Sequence, residues 1–154
     1  MTQKRDLTEA EQTIATNLLG PIRLTDALVD HLAATPDSAI INVTSGLAFV
    51  PLPRTATYSA TKAALHSYTQ SLRAKLAGKV EVIEIAPPGV QTELTPGQST
   101  REGYQPLDDF ADEAMALLAQ QPTPPEILVE NVQRLRFAER DGTTDERLAF
   151  LAQL

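Results

Sequence analysis

A tyrosine and a lysine lie four positions apart in the segment YSATK, residues 58–62. Residues at this spacing share one face of an α-helix, so Tyr58 and Lys62 can present a phenol and an ammonium group to the same point. An ammonium group beside a phenol favours the phenolate and lowers the tyrosine pKa from about 10 toward neutral pH. A tyrosine with such a pKa can act as a general acid and base. The alternative interpretation is an ordinary solvated helix face.

Two further polar residues could belong to the same site. Ser45 follows the β-branched run AIINV, residues 39–43, which is typical of a strand buried on both faces. In open α/β sheets, ligands bind beyond the carboxyl ends of the strands, where Ser45 falls. Asn17 lies four residues before Pro21, and proline has no N–H to donate to the Asn17 carbonyl. A helix should therefore kink at Pro21 and leave that carbonyl free. Ser45 could instead serve the turn alone, and Asn17 could simply bond a neighbouring carbonyl or water.

The elements that would position these residues follow from the periodicity of the sequence. A helix is predicted over residues 8–33, with Thr8 and Glu11 as a capping box, and a second helix over 56–77, closed by Gly78. Strands are predicted at 39–45 and within KVEVIEI, residues 79–85. A strand, a helix and a strand in this order form a βαβ unit, which is built on a parallel sheet. The predicted fold class is α/β.

The last third of the chain is less regular. Residues 95–106 contain two prolines and two glycines and are predicted to form a mobile loop. A helix is expected from Asp108 to about Gln120, and another from Thr143 to the C-terminus. The segment EILVE, residues 126–130, fits either a third strand or part of a helix running to Glu139. We expect residues 1–154 to form a single domain.

Composition excludes several classes of function. The 154 residues carry a net charge of −7 and no block of basic residues, which disfavours nucleic acid as a partner. There is no cysteine, so disulfides, thiol catalysis and thiolate metal sites are excluded. No apolar run approaches the ~18 residues of a membrane span, and we expect a soluble cytoplasmic protein. His31 and His66 lack companions for a metal site or a catalytic triad and are interpreted as surface or packing residues. No metal is predicted.

Four segments together resemble the short-chain dehydrogenase/reductase family. They are NLLG at 17–20, IINVTSGLAFVP at 40–51, YSATKAAL at 58–65 and PPGVQTEL at 87–94. Their order and spacing, including the thirteen residues from Ser45 to Tyr58, are similar to those of the family. The remainder resembles the C-terminal part of a bacterial subgroup labelled after the D-alanylation operon. The resemblance implies a Rossmann-like fold.

The resemblance also implies a role for each residue. Tyr58 would exchange a proton with the substrate oxygen, Lys62 would lower the Tyr58 pKa and hold the nicotinamide ribose, and Ser45 would bond the carbonyl or alcohol. Asn17 would hold a relay water through its main-chain carbonyl. NAD or NADP would be the cofactor, contacted by Tyr58 and Lys62 and by a segment after the second strand: Pro88, Gly89, Val90 and Thr92.

Family members begin with a strand, a glycine-rich turn and a helix that hold the cofactor pyrophosphate, and the seven glycines here do not have that spacing. The sequence therefore predicts a truncated Rossmann-like fold with the N-terminal dinucleotide-binding strands missing. It also predicts an exposed edge at the strand 39–45. The isolated chain is expected to bind no cofactor unless a separate half supplies the site. The function implied is hydride transfer between NAD(P)H and a carbonyl or alcohol. The alternative is a non-catalytic remnant acting as an interaction subunit. By the same resemblance, helices 8–33 and 56–77 would form a homodimer interface.

Overall fold

The computed structural model describes residues 6–153 as a three-stranded parallel sheet with helices packed against it. The strands are β1 (Ala39–Val43), β2 (Glu81–Ile85) and β3 (Glu126–Ile127), in that spatial order. The helices are α1 (Thr8–Ile14), α2 (Gly20–Ala33), α3 (Ala56–Lys75), α4 (Leu107–Leu118), α5 (Glu130–Arg136) and α6 (Thr144–Leu151). The α/β class, the βαβ unit formed by β1, α3 and β2, and the parallel sheet are confirmed.

The first predicted helix, over residues 8–33, is continuous but irregular. A π-helical turn, Ala15–Leu19, separates α1 from α2, and the Gly20 amide bonds to the Ala15 carbonyl five residues earlier. The irregularity therefore lies before Pro21 and includes Asn17, where the sequence predicted a kink at the proline itself. The predicted capping box is wrong, because the Asp6 carboxylate accepts hydrogen bonds from both the amide and the hydroxyl of Thr8.

The second predicted helix and strand agree closely with the structure. Helix α3 ends at Lys75, and Gly78 adopts a φ of +76°, a conformation that glycine adopts at little cost where the chain leaves a helix. Strand β2 is buried between its two neighbours. Its side chains alternate between two apolar clusters, with Val82 facing Leu72 and Leu76 on one side of the sheet and Ile83 facing α4 and α5 on the other.

Strand β1 lies at the edge of the described sheet. The expectation of a strand buried on both faces is wrong, because Ile41 is 46% exposed and Val43 is 50% exposed. The expectation of an open edge agrees with the structure. The side of β1 that faces α3 is covered, since Asn42 donates to Thr69 in α3 at 2.9 Å.

The segment 126–130 combines both predicted alternatives. Glu126 and Ile127 pair with β2 as a two-residue strand, and α5 begins at Glu130.

In the last part of the chain, helix α4 begins at Leu107 and α6 at Thr144, each within one residue of its prediction. No hydrogen bond from the Thr143 side chain caps α6, so that predicted cap is wrong. None of the helices within residues 6–153 is long and apolar enough to cross a membrane.

Candidate active site

Tyr58, Ser45 and Lys62 meet above the carboxyl ends of the parallel strands. Tyr58 and Lys62 lie one turn apart near the start of α3, and Ser45 begins the tight turn Gly46–Ala48 that follows β1. The Ser45 hydroxyl accepts a hydrogen bond from the Leu47 amide at 3.1 Å and lies close enough to the Tyr58 phenol to lower its pKa. The Lys62 ammonium group lies 5.6 Å from the centroid of the Tyr58 ring. The predicted pair and the predicted serine therefore form one cluster.

Asn17 reaches this cluster from the π-helical turn. Its Nδ2 donates to Thr61 Oγ1 at 3.4 Å, and the Thr61 hydroxyl donates to the Tyr58 carbonyl at 2.7 Å. Asn17 and Lys62 also line the same groove, which runs between α2 and β1. The helix irregularity thus places Asn17 beside the turn of α3 that carries Tyr58 and Lys62.

The pKa of Tyr58 is raised, where the sequence predicted a lowered value. Burial of the phenol raises it most, and the hydrogen bond from Ser45 opposes that rise. Lys62 is not among the causes, and its Nζ donates to the Val43 carbonyl at 2.8 Å. Burial also lowers the pKa of Lys62. The ammonium group thus bonds the edge of β1, and the Tyr58 phenol, whose pKa is raised above its ordinary value of about 10, is protonated at neutral pH.

The predicted cofactor segment follows β2 and is fixed by two glutamines that sequence reasoning missed. Gln98 Nε2 donates to the Val90 carbonyl at 2.8 Å and to Thr92 Oγ1 at 2.9 Å. The main-chain N–H of Gln105 donates to the Gly89 carbonyl at 2.9 Å. Pro88 and Gly89 reach solvent, whereas the Val90 side chain is buried. These three hydrogen bonds tie the segment after β2 to the loop 95–106 near the carboxyl end of the sheet.

The residues present fit one end of a dinucleotide. An ammonium group, a phenol and the partly exposed Pro88 and Gly89 suit the ribose and ring of a nicotinamide. Gly89 also packs closely against Tyr104, because a Cβ at position 89 would lie 3.1 Å from the Tyr104 ring. No two glycines of the sequence are spaced to cradle a pyrophosphate.

Behind the site, Glu84 in the middle of β2 is completely buried and forms a polar network. His66 Nδ1 lies 2.8 Å from Glu84 Oε2, and the Thr44 hydroxyl donates to Glu84 Oε1 at 2.6 Å. His66 is thus the partner of a buried carboxylate, whereas the sequence indicated only a surface or packing residue. Its spacing could have placed it near the site, because residues 58, 62 and 66 share one face of α3.

His66, Glu84 and Glu126 bring three potential metal ligand atoms within 4.8 Å of one another. The Arg136 guanidinium already pairs with Glu126, at 2.7 Å from Nε to Oε2 and 3.0 Å from NH2 to Oε1. The cluster therefore holds two separate pairs: His66 with Glu84 links α3 to β2, and Arg136 with Glu126 links α5 to β3.

Comparison with known proteins agrees with this geometry. The short chain dehydrogenase family model matches residues 1–103, which is more than half of the chain. The chain belongs to the short-chain dehydrogenase family. The oxidoreductase DltE of Bacillus subtilis is 40% identical over 130 residues, which cover 82% of this chain and 52% of DltE.

Solved members of the family share the fold. A short chain dehydrogenase from Burkholderia cenocepacia, in complex with NADP, has a TM-score of 0.79 and 26% identity, covering 97% of this chain and 64% of the other. A short-chain dehydrogenase from Sphingobium yanoikuyae, in complex with NADPH, has a TM-score of 0.75 and 21% identity, covering 95% and 58%. The chain therefore spans about half to two thirds of the length of these relatives.

Proposed function

We propose that this chain carries the proton-transfer half of an oxidoreductase that interconverts a carbonyl and an alcohol with NAD or NADP. The observation that supports it best is the joining of Ser45, Tyr58 and Lys62 in one cluster at the carboxyl ends of β1 and β2. Ligands of open α/β sheets bind at this edge. The membership in the family, whose solved members include NADP and NADPH complexes, points to the same cofactor class.

The chemistry divides between the cofactor and these side chains. A bound nicotinamide supplies a hydride to the substrate carbon, or accepts one from it. In the reducing direction the Tyr58 phenol donates its proton to the substrate oxygen, so that hydride and proton together convert the carbonyl to an alcohol. The Ser45 hydroxyl, which lies near enough to the phenol to lower its pKa, holds the same substrate oxygen in place. In the oxidising direction Tyr58 accepts that proton.

Lys62 and Asn17 adjust the protonation of Tyr58. An ammonium group moved from the Val43 carbonyl to the phenol would stabilise the phenolate and bring the raised pKa of Tyr58 down. Asn17 lies beside Thr61 in the same groove, where its main-chain carbonyl would hold a water that returns protons from solvent. The same Lys62 ammonium group would bond the ribose hydroxyls, while Pro88 to Thr92 would contact the nicotinamide.

The test is NADPH-dependent reduction of a panel of ketones and aldehydes. The chain is assayed alone and mixed with the separately produced part of Bacillus subtilis DltE that it does not match. Tyr58→Phe should lower activity about 10²–10⁴-fold, because general acid catalysis by one positioned side chain contributes about that much. Tyr68→Phe is the matched control, since Tyr68 lies on α3 and packs into the cluster of Leu72 and Leu76.

Equal activity of the two tyrosine variants would contradict the proposed function. A mixture that binds NADPH and stays inactive on every substrate of the panel would contradict it as well, and would favour a role in interaction alone.

A further inference from the structure

The turn that carries Ser45 contacts one pair of side chains, Glu84 and His66, on both of its sides. Before the turn, the Thr44 hydroxyl donates to Glu84 Oε1 at 2.6 Å. After the turn, the Phe49 ring meets the His66 ring edge to face, with the two centroids 4.9 Å apart. The two contacts converge, because His66 Nδ1 lies 2.8 Å from Glu84 Oε2. One polar pair therefore holds the chain immediately before and after this turn.

The same pair joins the sheet to the helix that carries Tyr58. Glu84 belongs to β2, whereas His66 lies on α3, about two turns after Tyr58 and on the same face. The main-chain hydrogen bonds on either side of Ser45 join only the end of β1 to the end of β2. The distance from Ser45 to Tyr58 is a distance between the sheet and the helix, so those main-chain bonds alone do not fix it.

Burial makes this connection persistent. Glu84 is completely buried, Thr44 is 2% exposed, and the side chain of His66 is 17% exposed. Water therefore does not compete for the carboxylate, and hydrogen bonds in such surroundings are stronger than hydrogen bonds at the surface. Both partners of Glu84 thus keep their places relative to each other.

We propose that Glu84 is a positioning residue of the candidate site, and that it fixes the distance between Ser45 and Tyr58. Thr44 connects Glu84 to the first of these residues, and His66 connects it to the second. The consequence for catalysis rests on the proposed function, whereas the placement of Ser45 beside the phenol is measured in the chain itself.

The Tyr58 phenol reports this placement. The Ser45 hydroxyl lowers the pKa of Tyr58, so a Ser45 hydroxyl that moves away should raise it. The three tyrosines of the chain are replaced by fluorotyrosine, whose phenol ionises at a lower pH, and are titrated by fluorine NMR. Tyr58→Phe assigns the signal, and Ser45→Ala gives the rise in pKa that results from complete loss of the hydroxyl.

Two substitutions at Glu84 separate position from charge. Glu84→Leu removes both polar contacts and should produce most of the rise in the Tyr58 pKa that Ser45→Ala produces. Adding Ser45→Ala to Glu84→Leu should then raise it little further. Glu84→Gln should restore the parent value, because the glutamine amide can accept from Thr44 and donate to Nδ1 of a neutral His66.

Two further variants complete the set. Glu81→Leu, at an exposed position of the same strand, is the matched control and should leave the pKa of Tyr58 unchanged. Thr44→Val removes one hydroxyl and keeps the shape of the side chain, and it serves if Glu84→Leu does not fold. It should raise the pKa of Tyr58 in the same direction as Glu84→Leu.

Three results would overturn the inference. One is a Ser45→Ala variant with the parent pKa of Tyr58, and another is the parent pKa in both Glu84→Leu and Thr44→Val, which would mean that main-chain bonds alone hold Ser45. The third is the same rise in Glu84→Gln as in Glu84→Leu, which would assign the effect to charge.

The reductase assay tests the consequence for catalysis separately. Glu84→Leu should lower activity about 10–10²-fold, since small displacements of positioned groups cost about that much, and Glu84→Gln should stay close to the parent. The expected pattern of Tyr58 titrations without reductase activity in any variant or in the parent would contradict only the proposed function.

Discussion

At the scale of single residues, the polar groups of the site and of the sheet interior are held by different partners. Ser45, Tyr58 and Lys62 could be predicted as a cluster, because a spacing of four on a helix and a position after a strand fix where side chains point. The hydrogen bond from Lys62 to the Val43 carbonyl could not be predicted, because a long flexible side chain goes to whichever acceptor is unpaired nearby. The raised pKa of Tyr58 follows from burial of the phenol.

Glu84 could be singled out from the sequence but not explained. A carboxylate inside a strand needs a partner or solvent, yet the partner, His66, comes from a helix packed across the sheet. Only the packing of α3 on β2 brings the two side chains together. Because Glu84 is fully buried, removal of His66 leaves its Oε2 atom unsatisfied in the interior, while Thr44 still bonds Oε1.

We predict that His66 and Glu84 are energetically coupled. His66→Ala should lower the free energy of unfolding by about 1–3 kcal/mol, the cost of an unsatisfied buried polar group. In a double-mutant cycle with Glu84→Gln, measured by urea unfolding, the coupling energy should exceed about 0.5 kcal/mol. His31→Ala, at an exposed histidine of α2, is the control and should have little effect. Additive effects of the two substitutions would show that the contact contributes nothing.

At the scale of elements, hydrophobic periodicity predicted the long elements, and local backbone chemistry decided their ends. Helices α2 and α3 and strands β1 and β2 have enough residues for their period to be read. The pair β3 and α5 could not be separated from sequence, because a two-residue strand has no period and owes its existence to pairing with β2. The π-helical turn was missed because a single five-residue stretch with hydrogen bonds from residue i to i+5 leaves no pattern of its own in the sequence.

The turn after β1 depends on close packing against α5. A Cβ added at Gly46 would lie 2.8 Å from Leu135 Cδ1 and 2.9 Å from Val132 Cγ2, both on the inner face of α5. Gly46→Ala should therefore lower the free energy of unfolding by about 1–3 kcal/mol, as expected for overpacking. Gly20→Ala is the matched control, since its Cβ would meet only the Ala15 carbonyl at 3.4 Å. It should stabilise the helix by up to about 1 kcal/mol.

Both glycine variants are measured by urea unfolding of the same preparation. Equal stability of Gly46→Ala and the parent chain would mean that α5 moves away from the turn at no cost. That result would contradict the close packing of Gly46 against Val132 and Leu135.

At the scale of the whole molecule, family and fold class follow from four sequence segments, and the surroundings of the edge strand β1 appear only in the structure. The sequence predicts an open edge at β1, and the structure adds the groove beside it and the lysine bonded to it. The candidate site and the edge of β1 share Lys62, whose ammonium group bonds the Val43 carbonyl and lies 5.6 Å from the centroid of the Tyr58 ring.

The proposed division of the cofactor site is tested most directly by a fluorescence titration of NADPH against the chain, alone and mixed with the unmatched part of DltE. We predict no saturation by the chain alone and saturable binding by the mixture. In the mixture, Lys62→Ala should weaken binding about tenfold or more, a loss of about 1.4 kcal/mol, and Lys75→Ala at the end of α3 should not. Saturable binding by the isolated chain, unaffected by Lys62→Ala, would contradict the account.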